Sequence, residues 1–193
     1  IYLAVKVIDS DKQDNQDKIN IYIDGNFDQG NFNSTDRVFS FALNNSTLTE
    51  INGNLTGVNH AWSETEDGYV LETEIPINNY AGFEMTKGYT KGHTIGFDIE
   101  IIDSGSANDN YYWMGDDNNY NSTDNYGVIS LINQSYQGIT EESAFALYTE
   151  NAPEIDGEKE DLWNKAIRMK KEMTGRKKQM MYQTQNDLPL ESA

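Results

Sequence analysis

The stretch Thr94-Ile-Gly-Phe-Asp-Ile-Glu-Ile-Ile102 decides the fold. Within it Phe97, Ile99 and Ile101 fall on one face, and Asp98 and Glu100 on the other. Period two marks a strand with one face on a core, because successive Cβ atoms leave opposite sides of the pleat. A helix would scatter the same apolar residues around its surface. Shorter runs repeat the pattern in both directions. Ile19-Asn-Ile-Tyr-Ile23 alternates and stops at Asp24-Gly25. Val38-Phe-Ser-Phe-Ala-Leu43 and Tyr69-Val-Leu-Glu-Thr-Glu-Ile75 alternate again, the second closed by Pro76, which has no amide hydrogen for a ladder. Ile1–Ile8 is apolar and β-branched, and Tyr111–Met114 and Gly127–Ile132 complete the set. Many short strands joined by Gly, Asn and Asp turns predict an all-β fold. Residues 1–150 are expected to form an antiparallel β-sandwich, jelly-roll or immunoglobulin-like.

The texture changes after Asn151. Glu158 to Met181 is rich in Lys, Glu, Met and Gln, with Leu162, Ala166 and Met169 near helical spacing until Gly175 interrupts. Residues 151–193 are therefore expected to form a short C-terminal extension, helical near 158–170 or else a strand once packed. Arg168, Lys170, Lys171, Arg176, Lys177 and Lys178 cluster there. Such a cluster suits an anionic partner, but a solvated or inter-domain face is the reading expected.

At 193 residues the chain is long enough for one cored domain with an appendage. Its 14 Lys and Arg against 32 Asp and Glu argue against nucleic acid or an anionic membrane surface as partner. The imbalance is local: residues 1–150 hold six basic and 24 acidic residues, and residues 151–193 hold eight of each. Cysteine is absent, which excludes a disulfide framework and thiolate chemistry. No apolar stretch approaches the roughly 20 residues of a membrane span, so membrane insertion is not expected.

Asp24-Gly-Asn-Phe-Asp28 sets oxygen side chains at alternate positions in a tight turn, as calcium loops do. The Gly and Glu that an EF-hand needs at its sixth and twelfth positions are missing, which leaves a looser site of Asp24, Asn26, Asp28 and Asp36. Turn chemistry alone also explains Asp-Gly-Asn. Asp9 with Asp11, and Asp116-Asp117 with Asp124, are weaker candidates. A glycosidase would need two carboxyl groups across the scissile bond. Glu72, Glu74, Asp98 and Glu100 are available, but they alternate with apolar residues as a solvated sheet face does. His60 and His93 stand alone in polar turns, so no triad or zinc cluster assembles. No catalytic residue is expected.

Several blocks resemble the family 9 carbohydrate-binding modules, also called DOMON-like sugar-binding sandwiches. They are Ile1–Asp9, Asp17–Asn26, Gly68–Pro76, Gly92–Asp103, Trp113 and Tyr126–Leu131. Ala152-Pro-Glu-Ile-Asp-Gly-Glu-Lys-Glu-Asp-Leu-Trp-Asn-Lys-Ala166 resembles the opening block of the same family, here placed last. The resemblance implies a noncatalytic sandwich that grips oligo- or polysaccharide, plant-type glycans such as xylan or cellulose or their chain ends. It also implies structural calcium, attachment to a secreted xylanase or related glycoside hydrolase, and a secreted or cell-surface location. Two arrangements are open for residues 151–193. They begin a further repeat, or they supply the missing first strands of the 1–150 module, within the chain or by strand exchange with a neighbouring copy.

Members of that family that grip a chain end hold the sugar between two aromatic rings, whose faces suit apolar C–H groups. By resemblance one ring falls in the Met114–Tyr126 loop, with Tyr120 the nearest match. Its partner should lie in Asp14-Asn15-Gln16, which offers no aromatic. A polar contact falls at Asn20 and another near Arg37. Trp113, with Tyr111, Tyr112 and Trp62, is either a different platform or strand core. The missing ring leaves a second reading, a structural or adhesive surface module without a sugar clamp. A haem-binding relative of the sandwich would need axial ligands, for which Met85 and His93 are poorly placed.

Overall fold

The structure is a computed structural model that describes residues 1–52, 55–76, 93–105, 109–132, 143–147, 152–158, 160, 161, 163, 167–173 and 178–184. Met85, Leu162 and Ala166 lie outside the described residues. The first six strands are β1 (Tyr2–Ile8), β2 (Lys18–Asp24), β3 (Asp36–Ala42), β4 (Leu48–Ile51), β5 (Asn59–Thr65) and β6 (Gly68–Glu74). The remainder are β7 (His93–Asp103), β8 (Asp109–Tyr112), β9 (Gly127–Ile132), β10 (Ser143–Leu147), β11 (Ile167–Met173) and β12 (Lys178–Thr184). They form two sheets. One runs β11-β12-β1-β6-β5, and the other β10-β9-β7-β2-β3-β4 with β8 beside β7. Pairing is antiparallel except for β9 with β10. The alternating runs thus form the antiparallel sandwich they predict.

Each sheet turns one face inward, and the core is the sum of the inward positions. Leu3, Val5, Val7, Tyr69 and Leu71 come from the first sheet; Ile19, Ile21, Ile23, Phe39, Phe41, Ile95, Phe97, Ile99 and Ile101 come from the second. Each such side chain contributes on the order of 1.5–3 kcal/mol by leaving water. β2 lies between β3 and β7, in a register that sets Asp24 beside Asp36 on one side and Gly96 on the other.

The helix expected near 158–170 is not what forms at its C-terminal end. Ile167–Met173 is β11, paired along β12, which in turn pairs with β1. Propensity is a weak prior, and an open strand edge outweighs it. β4 and β5 lack the alternating pattern for a physical reason. They are the outer strands of their sheets, and most of their side chains are only partly covered. Among the described residues no helix is long and apolar enough to cross a membrane.

Candidate functional site

The alternation that sends Ile19, Ile21 and Ile23 into the core leaves Asn20, Tyr22 and Asp24 on the outer face of β2, with Asp98 and Glu100 beside them on β7. The sequence reading expects a solvated surface here. Instead all five are buried, because the segment between β8 and β9 folds over them. Asp98 is its anchor. Oδ1 accepts the Met114 amide at 2.8 Å, and Oδ2 accepts the Gly115 amide at 3.1 Å and Asn119 Nδ2 at 2.6 Å. Burial pushes the Asp98 carboxyl above its ordinary value, and these donors oppose the shift. Tyr126 donates to the Asn119 carbonyl at 2.7 Å and packs with Tyr22, Val38 and Phe32 in a second, smaller apolar cluster.

Within that layer Glu100 is a hub. Its Oε2 accepts Asn20 Nδ2 at 2.7 Å and the Tyr22 hydroxyl at 2.5 Å. Its Oε1 accepts the Tyr112 hydroxyl at 2.8 Å and Asn110 Nδ2 at 3.0 Å. Burial raises the Tyr22 and Tyr112 phenols well above their usual range, and the Glu100 carboxylate reinforces it, so both remain donors. Asn20 Nδ2 also reaches the Tyr120 hydroxyl at 2.9 Å, while Asn20 Oδ1 is buried without a hydrogen bond. The Tyr120 ring stands edge-on to Tyr22, with centroids 5.2 Å apart, and is 42% exposed. The structure therefore brings Asn20 and Tyr120 together, as the resemblance implies, and adds Glu100, Tyr22, Asn110 and Tyr112. Glu100 and Tyr22 were legible only as the polar halves of alternating strands.

Arg37 and Trp113 are placed elsewhere. Arg37 pairs in register with Ile23, on the opposite face from Asn20. Its Nη1 donates to the carbonyls of Ser34 at 2.7 Å and Asp36 at 2.8 Å. Trp113 is 4% exposed and packs edge-on against Phe97 inside the main core. The carboxylates considered for catalysis divide between the sheets, Glu72 and Glu74 on β6 and Asp98 and Glu100 on β7.

The aspartates of the β2–β3 connection do converge. Carboxylate oxygens of Asp24, Asp28 and Asp36 lie within 4.8 Å of one another. Phe27 and Gln29 flank Asp28 with φ of 52° and 43°, a left-handed backbone that bulky residues adopt at a cost. Gly96 faces Asp24, and a Cβ there would stand 2.9 Å from the Asp24 Cβ. Asp24 Oδ1 and Asp36 Oδ1 are buried without a hydrogen bond. Burial, augmented by the charges of Asp24 and Asp28 and opposed by the Asn33 amide, pushes Asp36 up to about 6. Orphaned hard oxygens under mutual repulsion suit a divalent cation that binds oxygen. Asn26 stands at the rim, its Nδ2 on Asp28 Oδ2 at 3.0 Å and its Oδ1 on the Thr35 hydroxyl at 3.2 Å.

A second trio, Asp9, Asp17 and Asp103, also converges within 4.8 Å and is fully buried. The sequence offered only Asp9 with Asp11, since Asp17 and Asp103 meet through the β2–β7 ladder. Asp116 and Asp124 instead order their own loop, accepting the Asn118 amide at 2.8 Å and the Ser122 hydroxyl at 2.9 Å.

Two solved structures are similar to the chain in fold, both carbohydrate binding modules of family 9 from Caldicellulosiruptor kristjanssonii. The one in complex with cellotriose is 19% identical, with a TM-score of 0.50 over 69% of this chain and 67% of that one. The one in complex with glucose is 16% identical, with a TM-score of 0.49 over 78% and 74%. No curated protein sequence matches the chain. A profile described as carbohydrate family 9 binding domain-like matches residues 1–134, more than half of the 193 residues, and the chain belongs to that family.

Proposed function

We propose that this domain binds carbohydrate without catalysis, on the outer face of β2 and β7 beneath the 114–126 loop. The observation that carries the reading is Tyr120: an exposed aromatic ring whose hydroxyl is tied to a buried amide above a buried carboxylate. A sugar ring stacks its C–H face on Tyr120, and Asn110, Tyr112 and Asn20 exchange hydrogen bonds with its hydroxyls around Glu100. The family 9 relative holding cellotriose motivates β-linked plant-type glycans, cellulose or xylan, as the ligand class. In this reading the domain targets a secreted or cell-surface polysaccharide-degrading protein, such as a xylanase, to its substrate.

Calcium belongs to the same proposal. Asp24, Asp28 and Asp36 would hold it, with Asn26 at the rim, and its charge would compensate the buried carboxylates. The test is calorimetric titration against cello- and xylo-oligosaccharides with calcium present, paired with Tyr120→Ala. Heat in the parent that is lost in the variant supports the site. No heat with any glycan overturns it and favours a structural or adhesive module.

A further inference from the structure

The match to the family stops at residue 134, yet the structure seats a later segment against the first sheet. β12 runs antiparallel to β1, with Val5 opposite Tyr182, Lys6 opposite Met181 and Val7 opposite Met180, and β11 follows β12. Without the pair, β1 would be a sheet edge carrying the fully buried Val5 and Val7, an invitation to non-native pairing.

Ahead of β11, the turn at Gly157 lies on the outer face of β5 and β6. Glu72 points outward from β6, where its neighbours on that face, Val70 and Glu74, are only partly covered, yet Glu72 is 2% exposed. What covers it is the turn at Gly157, whose amide donates to Glu72 Oε2 at 3.0 Å. Gly157 has φ of +85°, and a Cβ there would stand 3.0 Å from the Trp62 carbonyl. Only glycine fits so near a backbone in that conformation. Pro153 and Trp163 are buried on either side of the turn. The turn also holds itself, through the Glu158 amide on Asp156 Oδ1 at 2.8 Å and the Trp163 amide on the Glu160 carbonyl at 3.1 Å.

Charge favours the same seating. Residues 1–150 carry six cations against 24 anions, whereas residues 167–178 carry six cations and one anion, Glu172. Opposite net charge in the two stretches is attractive over the distances of a small domain.

We propose that residues 152–184 are the closing element of this sandwich. The β1 edge and the outer face of β5–β6 form the acceptor surface, and its occupant is the segment of the same chain, latched at Glu72. The segment is thus part of the module and not the start of a further one. This inference concerns how the domain is completed and stands or falls apart from sugar binding.

The chain has no cysteine, so one pair can be introduced without background. Lys6→Cys with Met181→Cys joins register partners, whose Cα separation in an antiparallel ladder suits a disulfide. Oxidation at low protein concentration should convert the protein to a cross-linked monomer that migrates faster without reductant. A cross-linked dimer would overturn the proposal in favour of strand exchange with a second copy. Failure to cross-link in a protein that keeps its circular dichroism would overturn it outright. Hydrogen exchange on the unmodified chain guards against a misfolded variant: residues 2–8 and 178–184 should be protected together. Complete exchange of 178–184 within seconds would also sink the idea.

Discussion

The Thr123 hydroxyl donates to Asp24 Oδ2 at 3.2 Å, joining the loop that carries Tyr120 to the cluster of convergent aspartates. The same loops meet through the Phe32 amide on the Asn121 carbonyl at 2.8 Å and the Thr123 amide on the Gly30 carbonyl at 2.7 Å. The β2–β3 connection and the 114–126 loop are therefore neighbours in one hydrogen-bonded layer. A change in either is expected to register in the other.

Thr123→Val keeps the shape and removes the hydroxyl, leaving Asp24 Oδ2 with the Gln29 amide as its remaining donor. The expected cost is about 1–2 kcal/mol in folding stability, since Thr123 is buried. Calcium should raise the melting temperature of the parent, and the calcium increment in sugar affinity should shrink in the variant. An unchanged increment would show that the two loops are energetically independent.

Asp36 sets a pH dependence with a definite sign. Its carboxyl is held at about 6 in the fold against an ordinary 3.8, so between these values the folded chain binds a proton that the unfolded chain has lost. In the absence of calcium its contribution to stability is present at the low end and is lost as pH rises through 6. The whole effect amounts to roughly 2–3 kcal/mol. Calcium competes with the proton, so the calcium-dependent gain should grow over the same window. Denaturation curves at pH 5 and pH 7, with chelator and with calcium, test this; an identical pH response in Asp36→Asn would remove Asp36 as its source.

The sheet architecture was legible in the sequence because Ile19–Ile23 and Thr94–Ile102 alternate between a dry face and a polar one. The candidate site was half legible. Asn20 and Tyr120 came from resemblance, but Glu100, which holds four donors, reads in one dimension as one more solvent-facing acid. Its burial depends on the 114–126 loop lying over it, and Asp98 accepts the amides at the start of that loop 16 and 17 residues away. Arg37 is set apart from Asn20 for an equally local reason. Its number places it on the core side of β3, in register with Ile23. The 158–170 segment has helical composition, but its end enters β11, which pairs with β12 beside β1, a neighbour that composition cannot show.

Substitutions at Tyr120, Trp113 and Arg37 should separate binding from packing. Tyr120→Ala removes an exposed ring, so affinity for oligosaccharide should fall about tenfold or more, which corresponds to about 1.4 kcal/mol, with little change in melting temperature. Tyr120→Phe keeps the platform and should retain most of the affinity. Trp113→Ala opens the main core and should cost about 3–5 kcal/mol of stability. Arg37→Ala should lower stability and leave sugar affinity intact, because Arg37 serves the carbonyls of Ser34 and Asp36. Loss of affinity in a well-folded Arg37→Ala protein would place a sugar contact at the start of β3, beside Ser34 and Asp36, and not at Tyr120 alone.

Asp98 tests whether the loop needs its anchor to present Tyr120. Both of its oxygens accept, and one of them takes two donors, the Gly115 amide and Asn119 Nδ2. Asparagine at this position keeps one acceptor and must turn an amide NH₂ either toward the Met114 amide or toward the Gly115 amide and Asn119. A buried donor facing another donor loses the bond and leaves both groups unsatisfied. Asp98→Asn should therefore cost about 2–3 kcal/mol and accelerate hydrogen exchange in residues 114–126 ahead of the sheets. Sugar affinity should fall with it even though Asp98 is too deep to touch a ligand. If exchange in the loop accelerates while affinity holds, Tyr120 is not presented by the loop as the hydrogen bonds imply. The platform must then be sought among Tyr111, Tyr112 and Trp62.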